Sequence, residues 1–397
     1  MKSSIIRFII GGAALLGLPM LGIWAAGYDL APYLEFPPQS LYVEHADFSW
    51  LAFALLTAIE LTAILIAIRI GIRGTGTPPA GRRRDFPWWG WAAIAWTIPW
   101  WVLAWTRFDW FAPLQSHTFT PLWFGYIVFV NALTYRSLGR CLLTHDTGYL
   151  LKLFPVSAAF WWFFEYLNRF VQNWTYEGVQ YFSPLVYFLF ATAAFSTVLP
   201  AVMSTNELLH AWGLASRADD RAPPTPRGGW RIALFAISLV ALLFLGLAPN
   251  YLYPFLWLAP LGLIVFVQPL NKPIQNQQLG ARESLTSNNP APPSCDFQPL
   301  ENFHRIFPTV GTLLRLSVAA LICGFFWELW NWHSLAKWIY HVPFVQTLHL
   351  FEMPLLGYFG YLPFGWECAW IAGMLNKTEN TEFNINHPNK GDHHVHK

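Results

Sequence analysis

Ten long apolar stretches, almost free of charge, limit what this chain can fold into. They cover residues 5–27, 49–70, 87–106, 119–138, 149–168, 182–203, 230–248, 251–270, 308–330 and 350–374. A helix of about 20 apolar residues crosses the hydrocarbon core of a bilayer. Charged residues make up only 12% of the 397, about half the ~25% usual in soluble domains. So little charge cannot solvate the surface of a water-soluble protein of this length. That excludes most soluble enzymes, a disordered chain and a secreted disulfide scaffold. Segments such as ALLTAIELTAILIAI (54–68) do not alternate in polarity, as the strands of a membrane barrel would. The expected fold is an all-α integral membrane protein with ten transmembrane helices.

The first stretch follows Lys2 and Arg7, as the core of a signal peptide would. Its apolar part is long enough to span, and Pro19 and Trp24 suit a retained helix. Lys and Arg stay on the cytoplasmic side of a membrane protein. The chain has 24 of them. With the N-terminus inside, all but four fall on the inner side. Arg107, Arg169 and Lys337 fall outside, and Arg315 lies within the ninth stretch. Both termini are then cytoplasmic, in a cell membrane that short positive inner loops suggest is a bacterial inner membrane.

The chain also repeats itself. FFEYLN at 163–168 matches FWELWN at 326–331, an offset of 163. Trp174-Thr175-Tyr176 matches Trp338-Ile339-Tyr340 at 164, and Leu199-Pro200 matches Leu362-Pro363 at 163. Phe195 then falls opposite Tyr358. Upstream, IVFV recurs at 127–130 and 264–267, an offset of 137. An insertion in 271–305, rich in Asn, Pro and Ser, absorbs the difference. The expected organisation is an N-terminal hairpin (1–72), a first four-helix repeat (85–210), a cytoplasmic linker (211–229), a second four-helix repeat (230–375) and a His-rich tail (376–397). Four helices per unit is an even number, so the repeats are expected to run parallel, related by an axis along the membrane normal.

The residues most suited to chemistry sit in that repeat. Each copy carries aromatic-aromatic-Glu-x-x-Asn, then Trp-x-Tyr nine or ten residues after the Glu. Glu165 and Asn168 in one copy, and Glu328 and Asn331 in the other, are expected as catalytic pairs, each on one helix face. A carboxyl group among Phe and Trp is poorly solvated, which suits it to general acid or base work. Trp174, Tyr176, Trp338 and Tyr340 are expected to bind substrate, stacking on it or facing a developing cation. The plainer reading makes the Glu and Asn helix-end anchors and the rings an interfacial belt. Glu60, mid-span in the second stretch, and Glu352, in the Gly- and Pro-rich LFEMPLLGYFGYLPFG, join the expected substrate-binding set. Glu367 lies in the same tenth stretch. Intramembrane acids are functional candidates by default, though each could also bond to a neighbouring helix.

Cys141 and Cys295 fall on the inner side, Cys323 and Cys368 within spans, so no disulfide framework is read. His45, His117, His333, His341 and His349 scatter over outer loops, and no metal ligand set or cofactor is expected. Nor is there a phosphate-binding GxxxxGK[ST] loop, a GxGxxG, an HExxH or an Asp-rich diphosphate motif. Basic residues follow the topology rule and no nucleic acid is expected as partner. The Trp-Glu dipeptide in FFWELWNW (325–332) resembles the acid-after-aromatics pattern of integral-membrane terpene and carotenoid cyclases. The resemblance is confined to that dipeptide and assigns no family. Three functions fit: a protein that binds, or binds and modifies, an apolar lipid or isoprenoid at a repeat-interface site near the outer leaflet, a secondary transporter or channel, and a non-catalytic scaffold subunit.

Overall fold

The computed structural model describes residues 2–71, 79, 81, 83–219, 228–267 and 309–375. The protein is mostly helical, with few strands. Its longer helices are α1 (Lys2–Ala25), α2 (Trp50–Gly71), α3 (Trp88–Trp105), α4 (Phe119–Leu138), α5 (Thr147–Val171), α6 (Pro184–Phe195), α7 (Val198–Ala211), α8 (Gly228–Phe244), α9 (Phe255–Val267), α10 (Val310–Trp332) and α11 (Tyr361–Met374). Among the described residues, three helical segments are long and apolar enough to cross a membrane: α2, α10, and Pro184–Ala211, which comprises α6 and α7. Arg73, Arg82, Arg221, Arg227, Lys272, Arg282, Arg305, Cys295 and the 376–397 tail lie outside the described residues.

Several apolar stretches become single helices with nearly the expected ends, such as α4 over 119–138. Gly139 closes it in the left-handed conformation at φ 75°, its N–H bonded to the Tyr135 carbonyl. Two stretches differ. The 182–203 stretch breaks at Ser196–Thr197, between α6 and α7. On α5, the buried Ser157 hydroxyl donates to the Phe195 carbonyl (2.6 Å) and accepts from the Leu199 N–H (3.0 Å). It thereby satisfies backbone groups that the break would leave orphaned. The 350–374 stretch is helical only from Tyr361. Before it, β3 (His349–Leu350) and β4 (Met353–Pro354) form a two-residue antiparallel ladder, and a 3-10 helix covers Leu355–Gly360. Glu352 therefore sits in a turn, not in a membrane helix.

Helix pairs close on small residues. A methyl group added at Gly125 of α4 would lie 2.1 Å from the Thr97 hydroxyl of α3; one added at Gly262 of α9 would lie 2.1 Å from the Ser238 hydroxyl of α8. Both hydroxyls donate back to the carbonyl four residues earlier, Ala93 and Leu234, at 2.8 Å. Without a hydrophobic drive between helices in lipid, such close approach supplies the packing contacts. α1 packs along α8, and α7 packs between α4 and α10. The core between them is Leu, Val and Ala interleaved with rings such as Trp123, Phe164 and Phe364.

At one end of the bundle the chain forms a small cap. β1 (Trp174–Glu177) pairs antiparallel with β2 (Lys337–Tyr340). The register sets Trp174 against Tyr340, Tyr176 against Trp338, and Thr175 against Ile339 at the centre. The segment after α1, residues 28–49, straps across this end. Gln172, left-handed at φ 46°, holds it: the amide oxygen accepts from Tyr42 and Val43 N–H (both 2.9 Å), and the amide nitrogen donates to the Ser40 carbonyl (2.8 Å).

Candidate functional site

Beneath the β1–β2 cap lies a cavity of about 360 Å³, lined mainly by aromatic rings. Trp161 of α5, Trp257 of α9, Trp327 of α10 and Tyr361 of α11 surround it, with Trp174 and Tyr176 from β1 and Trp338 and Tyr340 from β2. α2 adds Leu56 and Glu60 to one wall, and α6 adds Phe190, Ala191 and Ala194 to another. α2 has no buried residue along its length, and α6 exposes Leu185, Phe188 and Leu189.

Glu165 and Glu328 sit just behind this aromatic wall, 6% and 0% exposed. One oxygen of Glu165 accepts three bonds: from the Tyr176 hydroxyl (2.6 Å), the Trp174 indole (3.0 Å) and the Trp161 indole (3.1 Å). One oxygen of Glu328 likewise accepts from the Tyr340 hydroxyl (2.7 Å), the Tyr361 hydroxyl (2.8 Å) and the Trp338 indole (3.4 Å, the weakest). The second oxygen of Glu328 is buried without a partner among the described residues. The carboxyl groups thus orient the rings that touch the cavity, and do not line it themselves.

The asparagines have a different task from the expected one. Asn168 donates to the Trp174 carbonyl (2.8 Å) and accepts from its N–H (3.4 Å). Asn331 makes the same two bonds with Trp338, both 2.8 Å. Neither touches the carboxylate three residues earlier in the bonds the structure makes. Each clamps the backbone of a strand Trp, so that its indole reaches the Glu. A net worth of about 0.5–1.5 kcal/mol per bond makes each clamp a real but modest constraint.

The third donor differs between the two sets, and the sequence offset explains how. At 163 residues, Trp161 falls opposite Gly324, and Tyr361 opposite Val198. A methyl group at Gly324 would meet the Tyr361 ring at 2.4 Å. Glycine there leaves room for a ring that enters from α11 and replaces the missing indole. Trp161 and Tyr361 lie outside the recurring Glu-x-x-Asn and Trp-x-Tyr motif, because they occupy non-matching positions. Comparing the gaps in the repeat, as well as its matches, would have found them.

Burial, with the adjacent carboxyl groups, holds the Tyr176 and Tyr340 phenols well above their ordinary pKa. They remain O–H donors at neutral pH. A phenol at the cavity wall with a carboxyl group behind it can pass a proton to or from a bound molecule, the carboxyl restoring it.

Of the other expected residues, Glu60 lines the cavity and Glu352 does not: it pairs with Lys337 at 2.7 Å. Glu367 is fully buried away from the cavity, with neither oxygen hydrogen-bonded among the described residues. Arg315 reaches Asp219 with two bonds, 2.7 and 3.0 Å. His45 and His341, distant in sequence, stack at 5.6 Å under the strap. Asn173, formally a glycosylation sequon, is buried at the cavity wall.

No protein-family model, no curated protein and no solved structure matches this chain.

Proposed function

We propose that the protein spans a cell membrane ten times and binds an apolar lipid or isoprenoid in the cavity beneath the β1–β2 cap. The observation that carries this reading is the cavity itself: ring-lined, backed by two acid-centred hydrogen-bond sets, and walled by two helices whose apolar faces are exposed. Such a pocket suits an apolar molecule arriving sideways from a bilayer. In this reading the Tyr176–Glu165 and Tyr340–Glu328 pairs modify the ligand by proton transfer.

The proposed architecture is an N-terminal hairpin and two tandem parallel units. The 137-residue offset that relates the IVFV segments also relates Gly125 to Gly262, each facing a hydroxyl on the preceding long helix. Both Glu sets lie in the last turns of α5 and α10, which run the same way through the bundle. The cap would face outward and both termini inward, in a bacterial inner membrane. Arg83, Arg84, Arg136, Arg140 and Arg217 then lie inside, and Arg107, Arg169 and Lys337 outside.

Lipid analysis of the purified protein tests the binding reading. A species should co-purify in fixed ratio to protein, enriched over the host membrane. Ala194→Trp, which fills the cavity, should abolish it, and Glu165→Gln or Glu328→Gln should reduce it. Extracted lipid that mirrors the host membrane in all four proteins overturns the reading. One observation favours transport instead: the helix break at Ser196–Thr197 is flanked by the cavity residues Phe195 and Val198, and Glu60 stands on another wall. Broken helices of this kind line transporter sites. Gradient-driven flux in liposomes, lost in Glu60→Gln, would put that reading first.

A further inference from the structure

The cavity's polar groups indicate the chemistry of what it holds. Apart from tyrosines, the ionisable residues on its wall are Glu60 and Lys337. The Lys337 charge is met by Glu352 at 2.7 Å. Glu60 has no such cation against it among the described residues, and Glu165 and Glu328 lie one hydrogen bond behind the wall. The Asn173 side-chain oxygen, on the wall and only 4% exposed as a residue, has no donor among the described residues. The Trp327 indole N–H on the same wall is a donor without a partner among the described residues, and against it stand the Asn173 oxygen and the two oxygens of the Glu60 carboxyl group. The ring faces add to this. Trp161, Trp174, Trp257 and Trp327 contribute indoles, whose faces carry the negative lobe of the aromatic quadrupole and attract cations better than other rings.

We propose that the ligand is a lipophilic amine: an apolar body carrying a protonated nitrogen that lies among the indoles, donates to Asn173 and pairs with Glu60. This rests on the binding reading above and names its ligand class. A neutral isoprenoid would fill the volume equally well. It would leave the Asn173 oxygen and Glu60 unmatched, and an unpaired buried acceptor is costly.

The test offers the full-length protein, in dodecyl maltoside, equal mole fractions of hexadecylamine and 1-hexadecanol. Retained ligand is quantified by native mass spectrometry. The amine should be retained at least ten-fold over the alcohol. Glu60→Gln and Asn173→Leu should each cut that ratio several-fold. Ala194→Trp should remove both ligands, separating the cavity from general adsorption. Equal retention of amine and alcohol, or a ratio indifferent to both polar variants, overturns the amine proposal while the cavity reading stands. Retention of neither, or retention untouched by Ala194→Trp, overturns the cavity reading and the amine proposal together.

Discussion

Glu165 and Glu328 look interchangeable in sequence, yet their surroundings are built by different means. One takes its third hydrogen bond from its own helix, through Trp161; the other takes it from α11, through Tyr361. Gly324 makes that exchange possible, since only a residue without a side chain clears the Tyr361 ring. Gly324→Ala should therefore displace the ring and destabilise the protein by about 1–3 kcal/mol, the usual range for overpacking. Tyr361→Val alone removes one donor and leaves a gap. In the double variant the alanine methyl fills part of that gap, so its cost should fall below the sum of the two. Thermal unfolding of all four proteins in detergent gives the coupling directly; strict additivity would show that Gly324 and Tyr361 do not share the space. Glu and Asn were legible as a recurring pair because spacing fixes a helix face. What the Asn does was not legible, because its partner is a backbone six or seven residues on, held in place only once the strand has formed.

At the scale of elements, the apolar patterns located helices well wherever glycine and proline were few. α4 emerges with the ends read from the sequence. The tenth stretch does not, because MPLLGYFGYLP supplies too many breaks for one helix. Its backbone groups turn to a short ladder and a 3-10 turn instead. At the 163-residue offset, α6 has this irregular segment as its counterpart. α2 packs against the Leu355–Gly360 turn and against α10, and so stands on the side where a second α6 would be. Glu60 reaches the cavity for that reason.

The 28–49 strap was not anticipated, since a polar loop between two spans carries no periodic signal. Its anchors titrate. Burial lowers the pKa of His45 and His341, and backbone N–H bonds from Ser40 and Gln39 lower that of Glu35. A histidine depressed by folding favours the folded state only while neutral. Its contribution is complete above the unfolded value of 6.5 and erodes as pH falls below it. A depressed carboxyl contributes above its unfolded value of 4.5 and loses that contribution in acid. Both act in the same direction. Amide protection factors at Tyr42, Val43 and Ala46 should drop several-fold from pH 7.5 to pH 5, while those of α4 hold. Glu35 holds its contribution throughout that range, so unchanged protection at the strap would mean that His45 and His341 do not latch it.

The whole molecule can be oriented by a labelling experiment. Tyr181, next to the cap, is 96% exposed, and Arg217, at the opposite end of the bundle, is exposed too. In a chain cleared of its four native cysteines, Tyr181→Cys should react with an impermeant maleimide on intact cells whose envelope admits the reagent to the inner membrane. Arg217→Cys should react only after lysis. The reverse pattern would invert the membrane orientation, and labelling of both would remove the membrane barrier between the two ends.

The β1–β2 register carries a consequence beyond the cavity. A strand that pairs antiparallel with its own counterpart about a central residue, as Thr175 and Ile339 do here, would pair equally well with a second copy of itself. In the proposed two-unit architecture, one unit alone would therefore carry a self-complementary contact, the geometry of a two-fold homodimer. Joining two such units in one chain would convert an association that depends on concentration into one that cannot dissociate. It would also free the halves to diverge: a symmetric pair could not place an indole, Trp161, on one side and a phenol from another helix, Tyr361, on the other.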